Sequence, residues 1–254
     1  MIVVSCGLGT NSVALLLGLK DRDIKPDLIL FADPGGEMPH TYKYLGIMQD
    51  WLAAVGFPPI TVVKKVDKNG DVLTLEENCL QKKMLPSVAY GFKTCSQKFK
   101  IQPQDKYMNN YGPAKLVWAR GEKITKFIGY DAGEPQRAEK DHSCKKYDIQ
   151  YPLLEWDWGR EECELVIDAW GLPQPGKSNC YFCPNSKTIE IRALKANHPE
   201  LMDRALKMES GADLSTIKGL GRGHYSWKNV VATDEMFDFP SQDMPCGCYD
   251  GGGF

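Results

Sequence analysis

The first 65 residues alternate short apolar runs with helix-like patterns, and this order limits the chain to few folds. The pattern predicts strands over 2–5, 28–32 and 60–64, with helices over 11–22 and 39–55. An order of strand, helix and strand builds a parallel sheet with helices on its faces. Loops after parallel strands meet at one edge of the sheet, where such folds bind ligands. We therefore expect an α/β fold whose site lies at the carboxyl ends of its strands.

A glycine-containing turn follows the first predicted strand. Gly7 and Gly9 lack side chains, so the backbone there can turn tightly and approach an anion. The N–H groups that open the next helix then point at the bound oxygens, and Ser12 adds a hydroxyl donor. The turn predicts a phosphate site, although a strand, a turn and a helix also open folds without a ligand there. It matches neither the Walker loop nor the dinucleotide fingerprint.

Read through Ser12, the turn resembles the PP-loop of the adenine nucleotide α-hydrolase superfamily. In that loop a Ser-Gly-Gly-x-Asp-Ser sequence holds the pyrophosphate of ATP or the phosphates of a sulfonucleotide. Leu8 stands at its first glycine and Asn11 at its Asp. Four further segments are similar, in the same order, to the phosphoadenosine phosphosulfate (PAPS) reductase family. They are 28–42, 93–103, the loop that begins at Gly129, and 180–184.

The resemblance implies a Rossmann-like PP-loop core and a set of nucleotide contacts. The implied contacts are Ser5, Gly7, Gly9, Thr10, Asn11, Ser12, Asp33, Gly35, Gly129, Glu134 and Arg137. Asp33 is either a turn former before Pro34 or a carboxylate that faces the nucleotide or its Mg²⁺. Arg137 is the candidate for a bidentate phosphate clamp, with a surface ion pair as the alternative. Asp131 follows Gly129 where the family usually has an Arg nearby.

The nine cysteines indicate metal or redox chemistry, because they are odd in number and include Cys-x-x-Cys and Cys-x-Cys pairs. Cys180 and Cys183 form a short knuckle that suits zinc, an iron–sulfur cluster or a redox dithiol. The resemblance places Cys95 opposite this pair and implies a [4Fe-4S] cluster on these three thiolates. For a fourth ligand, the candidates are Cys163, Cys144, Cys246 and Cys248.

Two alternatives remain for the other cysteines. A closed zinc site would use Cys180 and Cys183 with Cys246 and Cys248, since four thiolates are the ordinary structural zinc site. Cys6 and Cys79 lie in apolar surroundings and are expected to be small buried hydrophobic residues.

We expect an enzyme that adenylates an acceptor with ATP for sulfur transfer, with Cys95 and Arg137 in catalytic roles. Pyrophosphate would leave with Mg²⁺, and the acceptor would be a nucleic acid or a small molecule. The second hypothesis is an oxidoreductase that reduces PAPS or its APS analogue with Cys246 or Cys248 of the glycine-rich tail. A thioredoxin-like protein would then restore the thiol. The third is a nucleotide-binding module without catalysis that holds structural zinc.

Length and composition fit a chain with a large core, since 43% of the 254 residues are hydrophobic. We expect a nucleotide-binding domain over 1–155 and a mainly helical, cysteine-containing subdomain over 156–254. Further strands are predicted over 115–119 and 125–130. The remaining helices are predicted over 159–170, 187–197 and 199–208.

The charge argues against a protein that binds nucleic acid through its overall field, since the formal net charge is −2. A local patch of Lys93, Lys98, Lys100 and Lys106 is either a binding surface or an ordinary solvated face. No apolar stretch reaches the roughly 18 residues of a membrane helix, so we expect a cytoplasmic protein. The oligomeric state stays open, with a homo-oligomer among the alternatives.

Overall fold

The computed structural model describes residues 1–86, 93–139, 144–215, 217–221 and 225–233. In these ranges no helix combines the length and apolar character needed to cross a membrane.

Five strands form one all-parallel sheet in the order β3-β2-β1-β4-β5. Their bounds are Ile2–Ser5 (β1), Leu28–Asp33 (β2), Ile60–Lys64 (β3), Ile124–Ile128 (β4) and Tyr147–Gln150 (β5). The sheet thus grows to one side of β1 with β2 and β3, and to the other side with β4 and β5. This reversal on either side of β1 is the topological switch at which doubly wound folds open a crevice.

The helices of the described chain follow the strands and continue into the carboxy-terminal part. Those before β4 are Thr10–Asp21 (α1), Pro39–Ala54 (α2), Leu75–Gln81 (α3), Thr94–Ser96 (α4), Gln102–Asn110 (α5) and Gly112–Ala119 (α6). Those after β5 are Pro152–Glu155 (α7), Arg160–Ala169 (α8), Thr188–Asn197 (α9), Pro199–Ser210 (α10) and Trp227–Ala232 (α11). A π-helical turn, Gln97–Ile101, joins α4 to α5, and a 3₁₀ turn spans Pro135–Arg137.

Alternate side chains of the strands face the two sides of the sheet, as a period of two requires. Val4 and its neighbours pack against α1, α2 and α8 in the first core, whereas Val3 packs against α5 and α6 on the opposite face. The first core includes Cys163 and Ile167 of α8. Thus α8, which lies beyond the predicted domain boundary at residue 155, packs in one core with β1, α1 and α2.

A second core joins the carboxy-terminal helices to α3. It contains Leu75, Phe99 and Phe182 together with buried side chains of α9, α10 and α11. The buried carboxylate of Glu209 accepts the backbone N–H groups of Leu220 and Trp227, at 2.7 and 2.8 Å. Since a buried carboxylate is stable only when its oxygens are satisfied, these bonds fix the start of α11 on α10.

The strands predicted in the first 65 residues are confirmed, and their bounds agree within one residue. The strand predicted over 115–119 is wrong, because these residues belong to α6. Pro113 favours the first turn of a helix. Ala114 and Val117 are buried three residues apart, whereas Leu116 is 64% exposed. That is helical spacing, which the apolar run alone does not reveal.

Candidate functional site

A cleft of about 560 Å³ opens where the loops after β1 and β4 meet. It is lined by all the predicted nucleotide contacts except Asp33 and Gly35. The lining contacts are Ser5, Gly7, Gly9, Thr10, Asn11, Ser12, Gly129, Glu134 and Arg137. The sheet therefore brings together residues more than 100 positions apart at its switch point.

In the turn after β1, Leu8 stands where the PP-loop that the sequence resembles has its first glycine, and its backbone is left-handed. Leu8 has φ 60, and its side chain is fully buried in the first core. Gly9 precedes α1 in extended conformation, and a Cβ there would lie 3.3 Å from the Cβ of Ser178. The hydroxyl of Ser178 in turn donates to the carbonyl of Gly7. The turn is thus fixed by the buried side chain of Leu8 and by the hydrogen bond from Ser178.

The amino terminus of α1 faces the cleft through Thr10, Asn11 and Ser12. The first N–H groups of a helix have no partner within the helix, so they are suited to an anion. The hydroxyl of Ser12 donates to the carbonyl of Gly9 at 3.0 Å. In this structure Ser12 therefore fixes the turn itself.

Asn11 and Asp131, two residues that differ from the pattern that the sequence resembles, contact each other. The side-chain amide of Asn11 donates to a carboxylate oxygen of Asp131 at 2.8 Å. The second oxygen of Asp131 accepts the N–H of Gly133 at 3.0 Å, and Arg160 donates to Asn11 at 3.3 Å. An Asp at position 11 would face a second, buried carboxylate. The amide at position 11 is therefore matched to the carboxylate at position 131.

Gly129 is required by close packing between the loop after β4 and α1. A Cβ at Gly129 would lie 3.0 Å from the backbone oxygen of Asn11. The glycine therefore allows the two cleft-lining loops to touch.

Arg137 lines the cleft between an acid and an aromatic ring. Its guanidinium pairs with Glu134 at 2.6 Å and lies 4.0 Å from the ring centroid of Tyr130. Tyr130 stacks on Tyr151 with centroids 5.2 Å apart. The ring contact and the ion pair hold the guanidinium of Arg137 in the cleft wall.

Sequence analysis missed several residues of the cleft wall. These are Arg160, Gly176, Lys177, Ser178, Lys187 and Glu190, and Lys100 in a cleft-lining role. Tyr130, Asp131 and Gly133 also line the cleft and belong to the loop after Gly129 that the resemblance includes. Lys177 pairs with Glu190 at 2.9 Å. The available signal was the Gly-Lys-Ser triplet 176–178 directly before the cysteine knuckle.

Asp33 and Gly35, the other two predicted nucleotide contacts, do not line this cleft. Asp33 accepts the N–H of Gly35 at 2.7 Å and the hydroxyl of Tyr42 at 2.8 Å, and it pairs with Lys64 at 3.1 Å. It therefore acts as a turn former. The physical reason is that β2 and β4 flank β1 on opposite sides, and the cleft opens toward β4.

A second, small pocket of about 30 Å³ brings three predicted metal ligands together. Cys95, Cys180 and Cys183 line it, as do Lys93 and Lys100. Burial raises the pKa of the Cys95 thiol, while the nearby ammonium groups of Lys100 and Lys93 lower it. Burial is the larger effect, so the pKa of Cys95 lies above its usual value.

The other cysteines lie elsewhere. Cys163 is fully buried in the first core, where burial raises its pKa to about 12. Cys144 is exposed. Cys6 and Cys79 are buried in apolar clusters, as predicted. Cys246 and Cys248 lie outside the described residues, and no disulfide joins the seven cysteines that the structure describes.

The donor chemistry of the thiol pocket suits a thiophilic metal group. Thiolates hold both iron–sulfur clusters and structural zinc. Among the described residues, no three His, Cys, Asp or Glu side chains converge closely enough to chelate an ion. The three thiols surround the pocket instead.

Lys100 connects the cleft and the thiol pocket, because it lines both. Its side chain is 9% exposed and pairs with the fully buried carboxylate of Glu37 at 2.8 Å. Lys100 lies in the π-helical turn, a distortion that is frequent at functional sites. Of the predicted lysine patch, this residue is therefore a buried part of the site.

No family model matches the chain. Two curated relatives align with part of it: the mitochondrial arginine biosynthesis bifunctional protein ArgJ of Neurospora crassa and that of Sordaria macrospora. Each is 29% identical over 129 residues. The alignment covers 43% of this chain and 28% of each relative. The chain thus spans little more than a quarter of the length of these relatives.

Proposed function

We propose that the chain is a PAPS reductase-like PP-loop enzyme that binds ATP and adenylates an acceptor for sulfur transfer. One observation carries the proposal: the predicted nucleotide contacts of the β1 and β4 loops line one cleft, and its wall residue Lys100 also lines a pocket of three thiols. A partial similarity to two biosynthetic proteins supports an enzyme.

In the proposed reaction, an acceptor oxygen attacks the α-phosphorus of ATP and pyrophosphate leaves. The N–H groups at the start of α1 and the guanidinium of Arg137 stabilise the charge of the leaving group. A nucleophilic sulfur then attacks the activated atom of the acceptor and expels AMP. Sulfur replaces oxygen, and no net electron transfer is needed when the donor supplies sulfur as sulfide.

The thiol pocket would hold the metal group through Cys95, Cys180 and Cys183. When bound, a [4Fe-4S] cluster would supply an open iron that can bind sulfur. Lys100 would lie between this pocket and the nucleotide, where its positive charge acts on both.

A second candidate function is the reduction of a sulfonucleotide, because a thiol pocket beside a nucleotide cleft also suits that reaction. Its product is sulfite, whereas adenylation yields AMP and pyrophosphate. A nucleotide-binding module would give binding and neither product.

The test measures ATP and PAPS binding by calorimetry, and AMP, pyrophosphate and sulfite by chromatography. Sulfide serves as donor, with RNA and small-molecule acceptors in parallel. We expect ATP to bind, and Arg137→Ala to weaken binding about 10- to 100-fold through loss of a charge-assisted contact. The control is Arg120→Ala, whose partner Glu122 lies on the exposed surface. Failure of the wild-type protein to bind either nucleotide would contradict the proposal.

A further inference from the structure

Several basic side chains that line the cleft form an ion pair with a carboxylate. The pairs are Lys100–Glu37, Arg137–Glu134, Lys177–Glu190 and Arg160–Glu164. Lys100 and Arg137 are mostly buried, with side chains 9% and 17% exposed. In contrast, the side chains of Arg160 and Glu164 are 55% and 48% exposed. Of these pairs, Arg160–Glu164 is therefore the one that water screens most.

The position of Arg160 is not explained by the stability of α8. Residues Arg160 and Glu164 are four apart on one helix, and an exposed pair of this kind contributes little. The basic residue also comes first, which is the less favourable order along a helix. Arg160 opens α8, so its positive charge lies at the positive end of the helix dipole.

The backbone that carries Arg160 is nevertheless firmly held. The N–H of Gly159 donates to the carboxylate of Glu162 at 2.9 Å, which fixes the start of α8. Cys163 of the same helix is buried in the first core together with side chains of α1. Arg160 can therefore change its partner by a rotation of the side chain, without movement of α8.

Arg160 lies beside the helix start that is suited to an anion. Its guanidinium donates to the side-chain oxygen of Asn11, in the first turn of α1, at 3.3 Å. Asp131 orients this amide, because the nitrogen of Asn11 donates to its carboxylate at 2.8 Å. A phosphate oxygen is a stronger acceptor than this amide oxygen, since charge-assisted hydrogen bonds are roughly twice as strong as neutral ones.

We propose that Arg160 is a phosphate-binding residue of the cleft and exchanges Glu164 for the polyphosphate of the bound nucleotide. The inference rests on the nucleotide of the proposed function and adds a binding residue that the sequence resemblance does not include. A guanidinium presents its N–H groups as a planar fork, so it can bind two phosphate oxygens at once. The N–H groups at the start of α1 bind the same polyphosphate. Since each phosphate adds negative charge, Arg160 contributes more to the binding of ATP than to that of AMP.

The experiment measures the binding of ATP, PAPS, AMP and inorganic tripolyphosphate by calorimetry. The variants are Arg160→Ala, Arg160→Lys, Glu164→Gln, and Arg160→Ala combined with Glu164→Gln. The matched controls are Arg120→Ala and Glu122→Gln. Their ion pair is equally exposed and also joins Nε to a carboxylate oxygen at 2.9 Å, but neither residue lines the cleft. Circular dichroism checks the folding of every variant.

We expect Arg160→Ala to weaken the binding of ATP and tripolyphosphate about tenfold, and that of AMP less than about threefold. Arg160→Lys should recover only part of the loss, because an ammonium lacks the planar fork. Glu164→Gln should strengthen ATP binding about twofold, because the carboxylate no longer competes for Arg160. That gain should vanish in the double variant, and both control variants should bind ATP like the wild type. A pair that only stabilised α8 would give no gain when Glu164 is replaced.

Wild-type ATP affinity in either Arg160→Ala or Glu164→Gln would overturn the inference and leave the proposed function standing. A gain that persists in the double variant would also refute it, because Glu164 would then act without Arg160. A wild-type protein that binds neither ATP nor PAPS contradicts the proposed function instead. If that protein binds tripolyphosphate and Arg160→Ala weakens the binding, the phosphate contact stands without the nucleotide. Absence of tripolyphosphate binding as well would overturn both.

Discussion

Leu8 shows how a single residue can keep a turn that the resembling family builds with glycine. A leucine in the left-handed region costs roughly 1–2 kcal/mol. Complete burial of the side chain returns more than this, since truncation of a buried leucine costs about 2–5 kcal/mol. The turn is therefore retained because the leucine also belongs to the core.

At Leu8, the usual order of stability, in which an alanine variant is more stable than a glycine variant, should be inverted. Both Leu8→Ala and Leu8→Gly lose the buried side chain, but only glycine relieves the left-handed backbone. We expect Leu8→Gly to be at least as stable as Leu8→Ala in urea unfolding. The control is Leu15, equally buried inside α1, where glycine should be about 1 kcal/mol less stable than alanine. A Leu8→Gly protein clearly less stable than Leu8→Ala would show that no strain is stored there.

The contact between Asn11 and Asp131 gives a second residue-scale prediction. Asn11→Asp would place two carboxylates at hydrogen-bond distance, and we expect a loss of about 1–3 kcal/mol with weaker ATP binding. The exchange Asn11→Asp with Asp131→Asn keeps one acid and one amide, so it should recover most of both losses. Unfolding and calorimetry of the four proteins form a double-mutant cycle. A cycle with no coupling would contradict the matched pair.

How much of the cleft lining can be predicted depends on how far apart its residues lie in sequence. Gly7, Gly9 and Ser12 form one local turn, and all three line the cleft. Arg160 and Ser178 enter the same cleft from distant segments, and only the packing of α8 and the knuckle places them there. The sequence leaves the role of Asp33 open between a turn former and a nucleotide contact, because it does not state which neighbour of β1 borders the crevice.

At the scale of elements, two helical glycines should respond in opposite ways to alanine. A Cβ at Gly46 of α2 would have no neighbouring atom within 4 Å, whereas a Cβ at Gly18 of α1 would overlap the ring of Trp156 and lie 2.9 Å from the ring of Trp158. We expect Gly46→Ala to stabilise the protein by about 0.5–1 kcal/mol and Gly18→Ala to destabilise it by about 1–3 kcal/mol. Thermal unfolding should show shifts of about 2–4 °C per kcal/mol. Equal effects at both positions would mean that α1 can move away from Trp158.

Strands and helices could be predicted where the local residue pattern agrees with the burial of the same residues in the tertiary structure. The strands β1 and β2 are apolar runs between turn residues, and both of their faces are covered. Over 115–119 the run Lys-Leu-Val-Trp-Ala suits a strand or a helix equally. Only burial of Ala114 and Val117 on one face decides for α6, and burial is a property of the tertiary structure.

At the scale of the whole molecule, a buried ion pair connects the separate parts of the site. Glu37 follows β2 and forms an antiparallel bridge with Cys180 of the knuckle. Its carboxylate pairs with Lys100 and lies 3.5 Å from the hydroxyl of Ser178, which donates to the carbonyl of Gly7 in the turn after β1. The cleft and the thiol pocket are thus coupled through one charged junction.

Breaking this junction from one side should harm both stability and binding. A charge left alone in the interior costs about 3–5 kcal/mol, so we expect Glu37→Gln and Lys100→Met each to destabilise the protein by that order. The double variant Glu37→Leu with Lys100→Met leaves no unpaired charge and should recover most of the stability. It should not recover ATP binding, because the cation that lines the cleft is gone. Urea unfolding and calorimetry separate the two effects. If the double variant regains both stability and ATP binding, the ion pair has only a structural role. If it regains neither, apolar side chains cannot replace the packing of the pair.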